Sequence, residues 1–170
     1  MKGFTLVEIL VVIGIMGILG TLGFINYKTF QATQVLNEGV SLVQSTLRAA
    51  QSNATAALKC QNLGGAIWQV SFENNRNFNL KCKVGTSAAS IQRSYNLPTD
   101  IQILSISSNS CEALYPFSVS FSPLYGAVSF ESSASCIVNQ SSTMIRLTNI
   151  KTNEVKSVSI AKGGAIDAQK

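Results

Sequence analysis

The sequence contains no histidine, one tryptophan and three prolines. Without imidazole, Ser–His–Asp and Cys–His catalytic arrangements are excluded. Zinc would have to be gathered by four thiolates from single, widely separated cysteines, since no CxxC pair occurs. Ionised residues are sparse, at 12% of the chain. Apart from Glu8 the acids are Glu38, Glu73, Asp100, Glu112, Glu131, Glu154 and Asp167. They stand alone, so nothing suggests the paired carboxylates of a glycosidase. Gly64-Gly65 lacks the Lys-Ser/Thr of a phosphate-binding loop. The net charge is +5, yet no run of four basic residues occurs. Dispersed basicity describes a solvated surface better than a nucleic-acid footprint. No repeat is evident. The expectation is a chain that is not an enzyme, with no cofactor and no metal.

With 170 residues, the chain has room for one domain and an N-terminal appendage. The mean hydropathy of +0.24 comes largely from the first 25 residues. The remainder is rich in Ser, Asn, Thr and Gln, as in exported β-domains. All four cysteines, Cys60, Cys82, Cys111 and Cys136, lie in this second part. An even count in an exported domain reads as two disulfides with three alternative connectivities. Pairing of sequence neighbours, Cys60–Cys82 and Cys111–Cys136, is preferred. Four buried thiols are the alternative, disfavoured in an oxidising compartment.

What is present is a greasy beginning. From Phe4 to Ile25 only Glu8, Thr5 and Thr21 interrupt an apolar run. As a helix it would reach about 33 Å, the hydrocarbon thickness of a bilayer. Lys2 precedes it and Lys28 follows it. An ordinary secretory signal has a shorter apolar core followed by a small-residue cleavage site. Glu8 is the anomaly, because a carboxylate in an apolar span is costly and marks function by default. Cleavage after Gly3 would put a new α-amino group on Phe4, one helical turn away. Amine and carboxylate then neutralise each other, within one chain or between neighbours. The acid also complements the positive end of the helix dipole. A protonated Glu8 lying near the headgroups is the alternative.

The run Gly3-Phe4-Thr5-Leu6-Val7-Glu8 resembles the processing motif of type IV prepilins and pseudopilins. The resemblance implies that a membrane prepilin peptidase cuts after Gly3 and that the new N-terminal Phe4 is methylated. It further implies that Glu8 pairs with a neighbouring subunit's terminal amine during assembly. Two features depart from the family pattern. The leader has only three residues, and Ile25 stands where many members carry a helix-bending proline. Gly14, Gly17, Gly20 and Gly23 recur instead, lowering helix propensity and permitting close helix approach.

Beyond the span, Leu36, Val40, Val43, Leu47, Ala50, Ala54 and Ala57 recur by fours and threes. That spacing makes a narrow apolar stripe on a continuing helix, with Gly39 as a weak point. After Cys60 the period changes to two. Trp68–Phe72 and Phe78–Val84 alternate around a turn at residues 73–77, predicting a hairpin with one buried face. Lys81 and Lys83 then face outward and, with Arg76, form a candidate ligand surface. Further strands are predicted at residues 91–95, 101–106, 117–121, 127–130, 144–148 and 155–160. Residues 107–110 and 132–142 read as exposed loops. The fold class is therefore α+β: a long N-terminal helix, its first half transmembrane, packed on an antiparallel β-sheet. The expected divisions are a leader (1–3), an assembly helix (4–25), its amphipathic continuation (26–58) and an exported β-rich domain (59–170).

Leu47-Arg48-Ala49-Ala50-Gln51-Ser52, Trp68-Gln69-Val70-Ser71-Phe72 and Phe121-Ser122-Pro123-Leu124-Tyr125-Gly126 are similar to segments of the H-type minor pseudopilins and FimT/FimU-like minor pilins. The resemblance implies a structural subunit of a type IV pilus or type II secretion pseudopilus. It would sit in the bacterial inner membrane through a single pass, with the C-terminal domain outside the cytoplasm, before entering a filament. The implied partners are other pilin or pseudopilin subunits, the prepilin peptidase, the membrane and an inner-membrane assembly platform. The alternative is a tip adhesin or DNA-uptake minor pilin that binds a ligand, nucleic acid included, through the β-domain.

Overall fold

The computed structural model describes residues 3, 5–108, 111–132 and 140–169, without the side chains of residues 21–27 and 29. One helix, α1 (Leu6–Thr55), takes up 50 residues and is about 75 Å long at 1.5 Å per residue. Thr5 caps its start with extended backbone, and its hydroxyl accepts from the Glu8 amide at 3.3 Å. No proline precedes Pro98, so nothing interrupts the helix until Ala56. Ala57 follows with φ of 50°. It therefore lies past the helix end and is not the last member of the stripe, as its spacing had suggested. Leu36, Val40, Val43, Leu47, Ala50 and Ala54 are all buried.

The strands are β1 (Ile67–Phe72), β2 (Asn77–Lys83), β3 (Ser90–Asn96), β4 (Ile101–Ser108), β5 (Cys111–Glu112), β6 (Phe117–Phe121), β7 (Val128–Glu131), β8 (Ser142–Asn149), β9 (Val155–Ala161) and β10 (Ile166–Gln169). They form two five-stranded antiparallel sheets where the sequence suggested one: β3-β2-β1-β6-β7 and β10-β9-β8-β4-β5. The β1–β2 hairpin sets Trp68 opposite Cys82 and Phe72 opposite Phe78. Alternation fails in β1, where Gln69 and Ser71 are buried as well. β1 is the central strand, and Gln69 lies between Lys81 of β2 and Ser120 of β6. The aliphatic stem of a lysine can screen such a position while its ammonium reaches water.

Two loop expectations change in part, and one strand is added; residues 109 and 110 lie outside the described ones. Ser107 and Ser108 belong to β4 and are buried. A register shift between Ile103 and Ser105 breaks the alternation that periodicity relied on, and β4 runs on to pair with β5. β10 adds a strand that periodicity did not find, folding back on β9 with Ile166 opposite Ile160. Of the segment 132–142, Ser142 opens β8, and residues 133–139 lie outside the described ones.

The first sheet is held by an aromatic ladder that crosses every strand. Phe130, Phe117, Phe72, Phe78 and Tyr95 follow one another across β7, β6, β1, β2 and β3, with ring centroids 5.3–6.2 Å apart. Each such pair contributes about 0.5–1.5 kcal/mol beyond area burial. α1 packs on β1 and β6 of this sheet and on β4, β8, β9 and β10 of the other. Polar latches fix its axial position on the second sheet. The Asn149 amide donates to the Ala32 carbonyl at 3.0 Å, the Thr33 hydroxyl to Glu154 at 2.9 Å, and Lys156 to Asn37 at 2.6 Å. Arg48 and Gln51 donate to the carbonyls of Ile166 and Gly164. Gly164 has φ of +89°, and a Cβ there would fall 2.7 Å from the Gln51 amide nitrogen. At Gly39 a Cβ would lie 3.1 Å from a methyl of Ile101, so this residue lets the helix approach β4 closely. A disulfide between Cys60 and Cys82 ties the chain leaving α1 to β2.

Gly39→Leu is expected to cost about 1–3 kcal/mol by overpacking against Ile101, read as a lower denaturant midpoint for the full chain in detergent. Cys60→Ser together with Cys82→Ser reopens a loop of sequence separation 22. It is expected to lose about 2–4 kcal/mol in the same assay.

Candidate functional site

The N-terminal half of α1 contrasts with its second half at every position described. Leu6 is 79% exposed, Leu10 65%, Ile13 65% and Met16 67%. Val7, Ile9, Val11, Val12, Ile15, Ile18 and Leu19 are also exposed, so no face of this segment is turned inward. Around Gly14, Gly17 and Gly20 an added Cβ would meet nothing within 4 Å. The close approach these residues permit is thus not used inside the chain. An all-apolar helical surface is stable only when lipid or other helices cover it.

Gly3 is exposed and open on all sides, and Phe4 lies outside the described residues. Glu8 sits in the first turn, its amide held by both the carbonyl and the hydroxyl of Thr5. Its carboxylate is exposed and forms no ion pair among the described residues. The fixed backbone holds this acid at the rim of the apolar surface, within a turn of where cleavage after Gly3 would create an amine. No helix is long and apolar enough to cross a membrane among the described residues. The unbroken run of described side chains in its first half stops at Gly20, short of the roughly 20 residues that a span needs.

The three basic residues of the suggested ligand surface do not come together as an open patch. Arg76 donates to the Thr99 carbonyl at 2.9 Å. Lys81 pairs with Glu73, and Lys83 with Glu131 at 3.3 Å. The Lys81 hydrogen bond is the main cause that holds the Glu73 carboxyl below its ordinary 4.5. Burial opposes that shift, and bonds from Ser71 and Asn79 add to it. Cys111 is disulfide-bonded, and Cys136 lies outside the described residues. No group of His, Cys, Asp and Glu able to hold a metal occurs among the described residues.

Residues 1–24 match the family of the prokaryotic N-terminal methylation motif. They carry the type IV prepilin signature. The signature marks a pilin-like precursor, processed by prepilin peptidase and assembled with other pilin subunits. It also points to anchoring in the inner membrane. No curated protein and no solved structure matches the chain. What periodicity missed is the edge of the domain nearest the start of the helix, where Asp100, Asn149 and Lys151 meet α1 near Ala32. These residues share no motif and are joined only by the fold.

Lys81→Met is expected to lower stability by about 0.2–1 kcal/mol near pH 7, because the pair is partly exposed. The folded pKa of Glu73 is depressed, so the pair contributes fully above about 4.5 and fades as pH falls through the lowered value. Thermal unfolding of both proteins across the acid range should show the difference closing.

Proposed function

We propose that this chain is a structural subunit, a minor pilin or pseudopilin, of a type IV pilus or type II secretion pseudopilus. The single observation that carries this is the first half of α1: apolar on every side and joined to a latched β-domain that cannot cover it. In the precursor, residues 4–25 lie in the inner membrane as a single pass, and the domain from residue 59 onward lies outside the cytoplasm. Prepilin peptidase cuts between Gly3 and Phe4, and Phe4 is methylated. An assembly platform then draws the helix into a filament core, where the other subunits take the place of lipid.

Glu8 controls this transfer. A carboxylate among packed apolar helices is tolerable only beside a cation. The N-terminal amine of a neighbouring Phe4 is the cation that cleavage supplies. Misplaced subunits leave the acid unpaired, so the pairing selects axial register as well as neutralising charge. The chain is not an enzyme on this reading, and it needs no cofactor.

An adhesin or DNA-uptake role would need Arg76, Lys81 and Lys83 to exchange the partners they hold within the domain. No specific observation favours that role.

N-terminal sequencing of the mature protein should begin at Phe4, and a mature chain beginning at Met1 would refute the processing step. Glu8→Ala should leave membrane insertion intact and cut filament incorporation at least about ten-fold, the effect of losing about 1.4 kcal/mol of pairing. Incorporation at the wild-type level would remove Glu8 from the mechanism.

A further inference from the structure

A cleft of about 460 Å³ opens where the helix enters the β-domain. Lys28, Gln31 and Ala32 of α1 form one wall, and Asp100, Asn149 and Lys151 form the other. The second wall is rigidly built. Buried Asn149 donates from its side-chain nitrogen to the Ala32 carbonyl and accepts the Lys151 amide on its side-chain oxygen. The Ile150 amide donates to the Asp100 carbonyl at 2.9 Å. The Lys151 ammonium meets one Asp100 carboxylate oxygen at 2.8 Å.

This ion pair keeps capacity at both ends. An ammonium has three donors and a carboxylate about four acceptor sites, and one of each is used between them. Lys151 keeps 69% of its side chain exposed. A zwitterion could therefore dock antiparallel to the pair, its phosphate toward Lys151 and its ammonium toward Asp100.

Position says which zwitterion is at hand, and this step rests on the membrane reading of residues 4–25. Lys28 follows Ile25 by three residues and Gln31 by six, about 5 and 9 Å along the helix. The headgroup layer on each side of the hydrocarbon is about 5–7 Å thick. The cleft mouth thus opens at phosphate level. The exposed apolar side chains at this level suit that boundary: Ile150, next to Lys151 on the β8–β9 turn, is 52% exposed, and Phe30, on the face of α1 away from the cleft, is 62% exposed. Apolar side chains flanking cations are what a lipid interface selects.

We infer that this cleft seats the headgroup of an aminophospholipid from the outer leaflet of the membrane the subunit occupies before assembly. The bound lipid holds the β-domain against the bilayer and fixes how deep the helix lies. Leaving for the filament requires that the headgroup be given up.

The test uses the full chain in nanodiscs of equal phosphatidylethanolamine, phosphatidylglycerol and a phosphate-free galactolipid, with retained lipid read by native mass spectrometry. The wild type should keep one phosphatidylethanolamine in preference to the others. Lys151→Gln should reduce that retention by about three-fold or more, the scale of one partly exposed ion pair. Asp100→Asn should abolish the preference over phosphatidylglycerol, since it removes the partner for the amine and leaves the phosphate site. Circular dichroism checks that both variants keep the fold. Retention of galactolipid at the same level would overturn the proposal, as would indifference of lipid retention to both substitutions. Failure of the chain to enter nanodiscs at all would instead strike the membrane reading on which this inference stands.

Discussion

One continuous helix is asked to satisfy two different solvents. Its second half hides a narrow stripe under the β-domain, with Leu36, Val43, Leu47, Ala50 and Ala54 each fully buried. Its first half hides nothing, because it offers apolar side chains in every direction and the domain that could cover them is latched further along the helix. Burying a Leu, Ile or Val side chain is worth about 1.5–3 kcal/mol. A helical surface made of such residues cannot stay in water, and its covering has to come from outside the chain. On the proposed reading lipid serves before assembly and other helices serve after it. On that proposed reading the same constraint makes Glu8 consequential, since the acid can enter an apolar filament core only with a counter-charge beside it.

The β-domain is built to leave that half alone. Its aromatic ladder runs through the first sheet from Phe130 to Tyr95 and stabilises the domain independently of the helix start. The latches to Ala32, Thr33, Asn37, Arg48 and Gln51 all fall on the second half of α1. Gly39 lets the helix approach Ile101, and Gly164 lets the β9–β10 turn reach Gln51. The domain therefore travels as a fixed head on a helix whose exposed end is free to change surroundings.

Much of this was legible from the residues. The fours-and-threes spacing from Leu36 to Ala54 identified the buried face, because a helix has one simple period. The hairpin at Trp68–Val84 followed from alternation, and the disulfide from the cysteine count. The prepilin signature showed itself through Gly3, Phe4 and Glu8 standing together before a long apolar run. The division into two sheets was not legible, because strand order depends on contacts between segments far apart in sequence. Ser107 and Ser108 look like loop residues and are strand, because the register shift in β4 breaks the alternation. β10 escaped notice since Ile166–Gln169 is short and buries only Ile166. Gly39 looked like a weak point in a helix, and its value became plain only with Ile101 in place. The basic residues Arg76, Lys81 and Lys83 were read as an outward patch, and the fold supplies each with its own partner.

The proposed pairing of Glu8 with the amine exposed by processing can be measured in the assembled state. Filaments would be grown from this subunit carrying ¹³C-labelled glutamate together with neighbouring pilin subunits carrying ¹⁵N-labelled phenylalanine at the position equivalent to Phe4. Solid-state NMR then reports only contacts between different chains. A dipolar contact between the Glu8 carboxylate carbon and the neighbour's N-terminal amine nitrogen, within roughly 4–6 Å, is the predicted result. Well-ordered mixed filaments in which that contact is missing would contradict the account at its centre.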